Sequence, residues 1–393
     1  MRFKALDGWR GIAALLVALY HLQFYNHLQE LPFIRNSYLF VDFFFVLSGF
    51  VMGHAYSNRL TTRSDYSLFI IKRIGRLWPL HVFVLILFIL LELLKMYFIS
   101  SSVDINTTIS NPFSNDYSVQ TILPNLFLIH SLGIYDSLTW NNPSWSISVE
   151  MYTYLIFLVV IILFKSNLFI KILLITSSLS ILYLFPKDLG LATFDYGIFR
   201  CVLGFFLGLL TYQFHNKYPA IKIRYATFIE ILLILSISLF VSYIGHGQVT
   251  LIAPFLFVIM VYVFSLEQGA VSLFLKANPI QKLGEWSYSI YMMHAFIIVV
   301  IGRIIMVLQN KYDLTLFYSK DNPINSLGVD TFYYNSLYFM DFITLLYLII
   351  VIFISSISYK LIEKKGVIFF KRFEKKQTKY NKHINQNNPH FSQ

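Results

Sequence analysis

Four ionisable side chains, His21, Asp42, Glu150 and Arg200, each fall inside a long apolar run. A charge at membrane depth costs at least ~2.5 kcal/mol on insertion scales, so such a residue has a partner or a function. Counted from the outer ends of their runs at ~1.5 Å per residue, all four lie in one layer, on the order of 10 Å below one surface. Alone, each is accounted for by an ion pair or a satisfied buried histidine; four from separate runs at one depth point to a site. Acyl transfer to a hydroxyl needs a base, a means of stabilising an oxyanion and exclusion of water. His21 is the candidate base, with Asp42 or Glu150 to hold the ring and stabilise the imidazolium. The alternative role for His21 is nucleophile, through an acyl-imidazole. Arg200 either stabilises the oxyanion or neutralises a carboxylate, the second being favoured. One histidine without a paired motif is a poor zinc site, so no metal is expected.

The spacing of cations suggests what reaches this layer. Arg10 and His21 stand eleven residues apart, close to three helical turns, so both face one way with an axial separation of ~16 Å. Arg10 is then at one membrane edge while His21 reaches the opposite half. That suits a substrate with an anionic head and a long arm, and coenzyme A is such a molecule. Arg73 and Arg76, in Lys72-Arg73-Ile74-Gly75-Arg76, are three apart on the same side. On a helical turn they share a face, and two guanidinium forks can grip phosphate bidentately.

The elements that must position these residues are transmembrane helices. Hydrophobic residues make up 57% of the 393-residue chain and charged residues 13%, about half the charge of a soluble domain. Ten runs are long enough to cross a bilayer core: 11–28, 37–56, 77–98, 145–164, 168–185, 192–214, 228–243, 249–265, 286–308 and 338–361. A shorter stretch, 121–132, contains Pro124 and reads as a re-entrant or interfacial piece. With the N-terminus in the cytoplasm, the inside segments collect nearly all the lysines and arginines. The outside segments hold Arg35, Lys187, Lys311 and Lys320, as the positive-inside rule requires with both termini inside. The net charge of +11 is thus topological and does not call for nucleic acid. Residues 12–20 resemble a signal-peptide core, but His21-Leu22-Gln23-Phe24-Tyr25 follows where small residues should stand. The expected fold is an all-α polytopic bundle over 1–365 embedded in the lipid bilayer, with a basic, disordered tail over 366–393.

Several motifs resemble those of membrane-bound acyltransferase family 3. They are Leu6-Asp7-Gly8-Trp9-Arg10-Gly11-Ile12-Ala13-Ala14 with His21, similar to the family's Arg-X10-His element, then Val41-Asp42-Phe43-Phe44-Phe45-Val46-Leu47-Ser48-Gly49-Phe50, Arg73-Ile74-Gly75-Arg76, and Pro143-Ser144-Trp145-Ser146-Ile147-Ser148-Val149-Glu150. Weaker matches are Phe199-Arg200 with Gly204 and Gly208, and Ser287-Tyr288-Ser289-Ile290-Tyr291 with His294. The resemblance implies an acyl-CoA donor, acetyl-CoA foremost, and an extracytoplasmic carbohydrate acceptor such as O-antigen, capsule or exopolysaccharide, at a bacterial inner membrane. Under it, His21, Asp42 and Glu150 are the catalytic set and Arg10, Arg73 and Arg76 the donor-binding set. Ser144, Trp145, Ser148, Arg200, Tyr291 and His294 serve as substrate or structural support. The rival reading is a proton-coupled transporter or flippase, since His, Arg and carboxylates in spans also form proton relays; the absence of an evident internal repeat argues against it. The loop after the ninth run carries Tyr312, Phe317, Tyr318, Phe332, Tyr333 and Tyr334, whose rings suit either sugar faces or the membrane interface.

Overall fold

The computed structural model describes residues 2–22, 24–56, 59–100, 111–165, 167–219, 221–312, 317–318, 331–333 and 336–373. Ten long helices occupy the ten expected runs. They are α1 (Lys4–Tyr20), α2 (Phe40–Tyr56), α3 (Arg63–Ser100), α4 (Trp145–Phe164), α5 (Leu168–Leu184), α6 (Gly197–Lys217), α7 (Ala226–Tyr243), α8 (Ala253–Ser265), α9 (Asn278–Tyr312) and α10 (Leu337–Ser358). Eight segments, those of all but α1 and α5, are long and apolar enough to cross a membrane; α5 is apolar but 17 residues long. The face of the bundle at Lys4 is called the basic side below. Beyond α9, a two-residue strand β1 (Phe317–Tyr318) pairs antiparallel with β2 (Thr331–Phe332), Phe317 opposite Phe332. Tyr334 and residues 374–393 lie outside the described residues.

Helix α1 is displaced toward the basic side relative to run 11–28. Lys4, Ala5 and Leu6 extend it backwards, with Asp7 in the first turn, where the helix dipole favours an acid. It stops at Tyr20, with His21 as its C-cap, because the groups that follow satisfy its last carbonyls. Gln29 Nε2 donates to Leu19 O and Leu22 O, and Asn26 caps a new turn, His27–Glu30, by accepting from Gln29 N. At ~1.5 Å per residue, α3 is ~57 Å long, far more than the bilayer needs. The Lys72–Arg76 cluster is therefore built into it rather than lying in a loop.

Glycines let two helix pairs touch backbone to backbone. A Cβ on Gly49 of α2 would stand 1.8 Å from Phe205 O of α6, and one on Gly208 of α6 1.8 Å from Val46 O of α2. Likewise a Cβ on Gly284 of α9 would stand 2.2 Å from Asp7 O of α1. With lipid outside as apolar as leucine, such close approach is how membrane helices gain packing energy.

The 121–132 stretch, expected to be re-entrant or interfacial, folds back onto the bundle. Its short helix, Ile122–Leu126, and the turn after it meet the middle of α3 and the first turn of α4. Trp78 Nε1 donates to Leu126 O at 2.9 Å, and Ser148 Oγ donates to Leu128 O at 2.5 Å. Leu128 holds a left-handed conformation (φ +57°), strained for a residue of its bulk. Asn125, Leu128, His130 and Ser131 of this stretch are buried, while Leu123 and Phe127 face outward.

After α10 the chain does not leave the bundle. A π-helical turn, Tyr359–Glu363, leads into a helical stretch that runs to Phe373. That stretch docks on the basic half of α3, with Gly366 against Pro79 and Phe370 against Gly75.

Candidate active site

A cavity of ≈ 290 Å3 opens between α1, α2, α3, α4 and α9. Along α2 it runs from Val41 to Met52, eleven residues or ~16 Å. Its basic end carries Arg10, Arg73 and Arg76, the three cations expected to share a ligand, together with the exposed Val51. Its other end is closed by Val41, Phe44, Ser146 and Tyr291; Ser146 is 4% and Tyr291 5% exposed.

The arginines are held differently. Arg10 donates from Nη1 to Asp7 Oδ1 (3.2 Å) and from Nη2 to Ser287 Oγ (3.1 Å). Arg73 lies over the rings of Tyr56, Phe69 and Tyr154 at 5.5–5.9 Å, a cation–π cradle that leaves its fork free of acids among the described residues. Arg76 donates to the buried carboxylate of Glu363, whose Oε2 also accepts from Ser289 Oγ at 2.7 Å. Sequence reading missed Glu363 because it sits in a lysine-rich stretch past the last apolar run. The π turn is what swings it inward, where a regular helix would continue the previous register.

Glu150 lines the same cavity, accepting hydrogen bonds from Ser48 Oγ (2.7 Å) and from the Tyr154 hydroxyl. Asp42 is elsewhere. It forms a bidentate pair with Arg200, Nε to Oδ1 at 3.0 Å and Nη2 to Oδ2 at 2.8 Å, both side chains buried. Arg200 also donates to Leu189 O, and Trp145 lies over its guanidinium at 5.3 Å. The expectation that Asp42 or Glu150 orients His21 thus meets a different arrangement: each carboxylate is engaged by other groups. Arg200 neutralises Asp42, the second of its two expected roles.

His21 is oriented by backbone and by a second histidine. Its Nδ1 lies 2.9 Å from Val17 O. A carbonyl only accepts, so Nδ1 carries the proton and Nε2 keeps its lone pair. The same logic at His294, whose Nδ1 is 3.2 Å from Ile290 O, makes His294 Nε2 an acceptor, 3.3 Å from His21 Nδ1. The Nδ1–H of His21 is shared between Val17 O and His294, which fixes the ring and leaves Nε2 with the free lone pair. His21 is not among the cavity-lining residues. Nor are Ala14 and Ala18, which are fully buried, so beyond Arg10 the cavity wall comes from α2, α3, α4 and α9. The closing residue Tyr291 is one helical turn from His294, their rings 5.9 Å apart. Tyr291 is pinned by bonds to Ser146 Oγ (2.7 Å) and Pro143 O (3.0 Å), whereas Phe44, edge-on to it at 5.9 Å, has no polar tether.

The profile of the acyltransferase domain Acyl_transf_3 matches residues 3–359. The chain belongs to the acyltransferase 3 family. With its long apolar helices, it is a multi-pass membrane acyltransferase. It is similar to protein 2 in the picA locus of Rhizobium radiobacter, 33% identical over 159 residues, which are 38% of this chain and 78% of that protein. It is also similar to the peptidoglycan O-acetyltransferase OatA of Listeria monocytogenes serovar 1/2a, 26% identical over 338 residues. That match covers 78% of this chain and 51% of OatA, so the chain spans about half the length of the listerial protein. No solved structure matches it significantly.

In this acyltransferase 3 chain, Tyr291 alone of the six expected support residues is among the cavity-lining residues. Ser144 Oγ is 3.1 Å from His130 Nε2, and Ser148 clamps the turn at Leu128 O. His130 stacks on His81 at 5.6 Å; neither was singled out in the sequence, since isolated histidines carry no spacing signal. Among the described residues no three His, Cys, Asp or Glu side chains group as metal ligands. Of the loop aromatics, Tyr333 meets Tyr25 at 5.6 Å, away from the cavity.

Proposed function

We propose that this chain transfers an acyl group, acetyl foremost, from acyl-CoA on the cytoplasmic side to a hydroxyl of an extracytoplasmic glycan at a bacterial inner membrane. The observation that carries this reading is the cavity itself. It has three arginines at the basic end and a bore lined by apolar side chains together with Ser48, Glu150 and Tyr154, and it closes one helical turn from the His21–His294 pair. Phosphates of the donor meet Arg10, Arg73 and Arg76, and the arm runs along α2 toward Phe44 and Tyr291. OatA, by its name an O-acetyltransferase of peptidoglycan, supports the acceptor class.

In the transfer step the sugar oxygen attacks the thioester carbonyl. The C–O bond forms and the C–S bond breaks, while the hydroxyl proton passes to His21 Nε2 and then to the departing thiolate. Val17 O and His294 hold the imidazole in the tautomer this requires. Phe44, the untethered member of the closing pair, moves aside to bring thioester and base together. The step is tested by mass spectrometry of surface glycans from cells carrying the wild type, His21→Ala or no copy, alongside binding of labelled acetyl-CoA to purified protein. A mass gain of one acyl group in wild-type cells alone, with acetyl-CoA bound by both proteins, is expected. Unaltered acylation by His21→Ala removes His21 from the mechanism, and no acyl gain in any cell favours a transporter.

A further inference from the structure

A second cavity, ≈ 300 Å3, lies on the side opposite the arginine-lined one, where α1 ends. Its lining includes Tyr20, Arg35, Asn36, Tyr38, Tyr243 and His246. It is adjacent to the candidate base: the Tyr20 ring meets His21 at 4.8 Å and Tyr38 at 5.6 Å. Part of its wall is held by hydrogen bonds. Asn36 Nδ2 donates to Val241 O (2.8 Å) and the Tyr38 hydroxyl to Gly245 O (2.7 Å), tying the segment after α1 to the end of α7. This volume is at the small end of ligand sites and matches one saccharide unit.

Arg35 distinguishes this cavity. Among the described residues its guanidinium has no hydrogen bond and no acid partner. The acid nearby, Asp188, accepts from Gly190 N (2.8 Å) and Gly247 N (2.6 Å) and lies 3.7 Å from His246 Nδ1. Arg35 is also one of the few basic residues on a side that topology keeps poor in them. A planar fork beside tyrosine faces matches a ring that has C–H faces and carries a carboxylate or phosphate.

We propose that this cavity binds one sugar of the acceptor glycan and that this sugar is acidic, its carboxylate or phosphate read by Arg35. The inference rests on the glycan acceptor proposed above and narrows it to an anionic class. The bound unit stacks on Tyr20 and Tyr243, and the neighbouring unit of the chain lies over His21.

The test uses the purified full chain in detergent. Binding of trigalacturonate, glucose 1-phosphate and maltotriose is measured for the wild type, Arg35→Ala, Arg35→Lys and Tyr243→Ala, with acetyl-CoA binding as the control. At least one anionic probe should bind the wild type better than maltotriose, weaken at least tenfold in Arg35→Ala and recover in part in Arg35→Lys. Acetyl-CoA affinity should stay unchanged in every variant. Whichever anionic probe responds identifies the acid. Equal binding of neutral and anionic probes, or no change in Arg35→Ala, overturns the proposal while acetyl-CoA binding by the wild type leaves the donor reading intact. Co-purified phosphatidylglycerol that is lost in Arg35→Ala, with no sugar bound, makes this a lipid site and also overturns it. Failure of the wild type to bind acetyl-CoA is the separate failure of the donor reading.

Discussion

Replacing Asp42 by alanine should unfold much of this bundle rather than merely slow its chemistry. The wild-type carboxylate is 0% exposed and takes two parallel bonds from Arg200, itself 1% exposed. Without it, the guanidinium keeps Leu189 O at 2.7 Å, Tyr38 O at 3.4 Å and the Trp145 ring, none of which carries a negative charge. Breaking a buried pair by removing one partner costs about 3–5 kcal/mol, because the other charge is stranded. Against a net stability of about 5–15 kcal/mol, that is between about a fifth and all of the total. Unfolding by SDS titration in mixed micelles reads the loss directly. The informative companion is Asp42→Leu with Arg200→Met, which removes both charges and should come within about 1–2 kcal/mol of the wild type. Stability of Asp42→Ala within about 1 kcal/mol of the wild type, well below the cost of a stranded charge, would refute the buried pair. If the double variant is stable but leaves glycans unacylated, Asp42 acts in the chemistry and not only in the fold.

Two further predictions bear on the cavity and on the packing that shapes it. Phe44→Ala removes the movable member of the closing pair, so the ratio of kcat/KM for butyryl-CoA over acetyl-CoA should rise by at least about tenfold, the low end of what added methylenes cost in a closed apolar pocket; an unchanged ratio means that Phe44 does not set acyl length. Gly208→Ala drives a methyl into Val46 O and should cost at least about 3 kcal/mol, beyond ordinary overpacking, seen as loss of folded protein in detergent; normal yield and stability would show that α2 and α6 are not in backbone contact.

Depth was legible in the sequence and azimuth was not. Apolar runs located the long helices, and spacing along them the three arginines of the cavity, because helical rise is a property of the backbone alone. Which side chains meet across helices depends on rotation about each axis, and that is set by contacts such as Gly49 on Phe205 and Gly208 on Val46. Hence Asp42 and His21, similar in expected depth, engage different neighbours. His294 pairs with His21 from 273 residues away, and only packing of α1 on α9 through Gly284 brings them together. The end of α1 was misjudged because the groups that stop it, Asn26 and Gln29, act through their side chains while Leu22, Phe24, Tyr25 and Leu28 keep apolar residues recurring in the sequence.

The pairing of Arg76 with Glu363 has a consequence for how the protein is made. Helices enter the membrane in the order of synthesis, and α3 with its arginines is in place long before α10 has emerged from the ribosome. Until Glu363 arrives, Arg76 has no buried counter-charge and Ser289 Oγ lacks its acceptor. The arginine cavity is therefore among the last parts of the molecule to mature. A nascent chain halted after α9 would hold His21 and His294 together yet lack the acid that sets Arg76, so occupancy of the cavity is deferred until synthesis has passed residue 363.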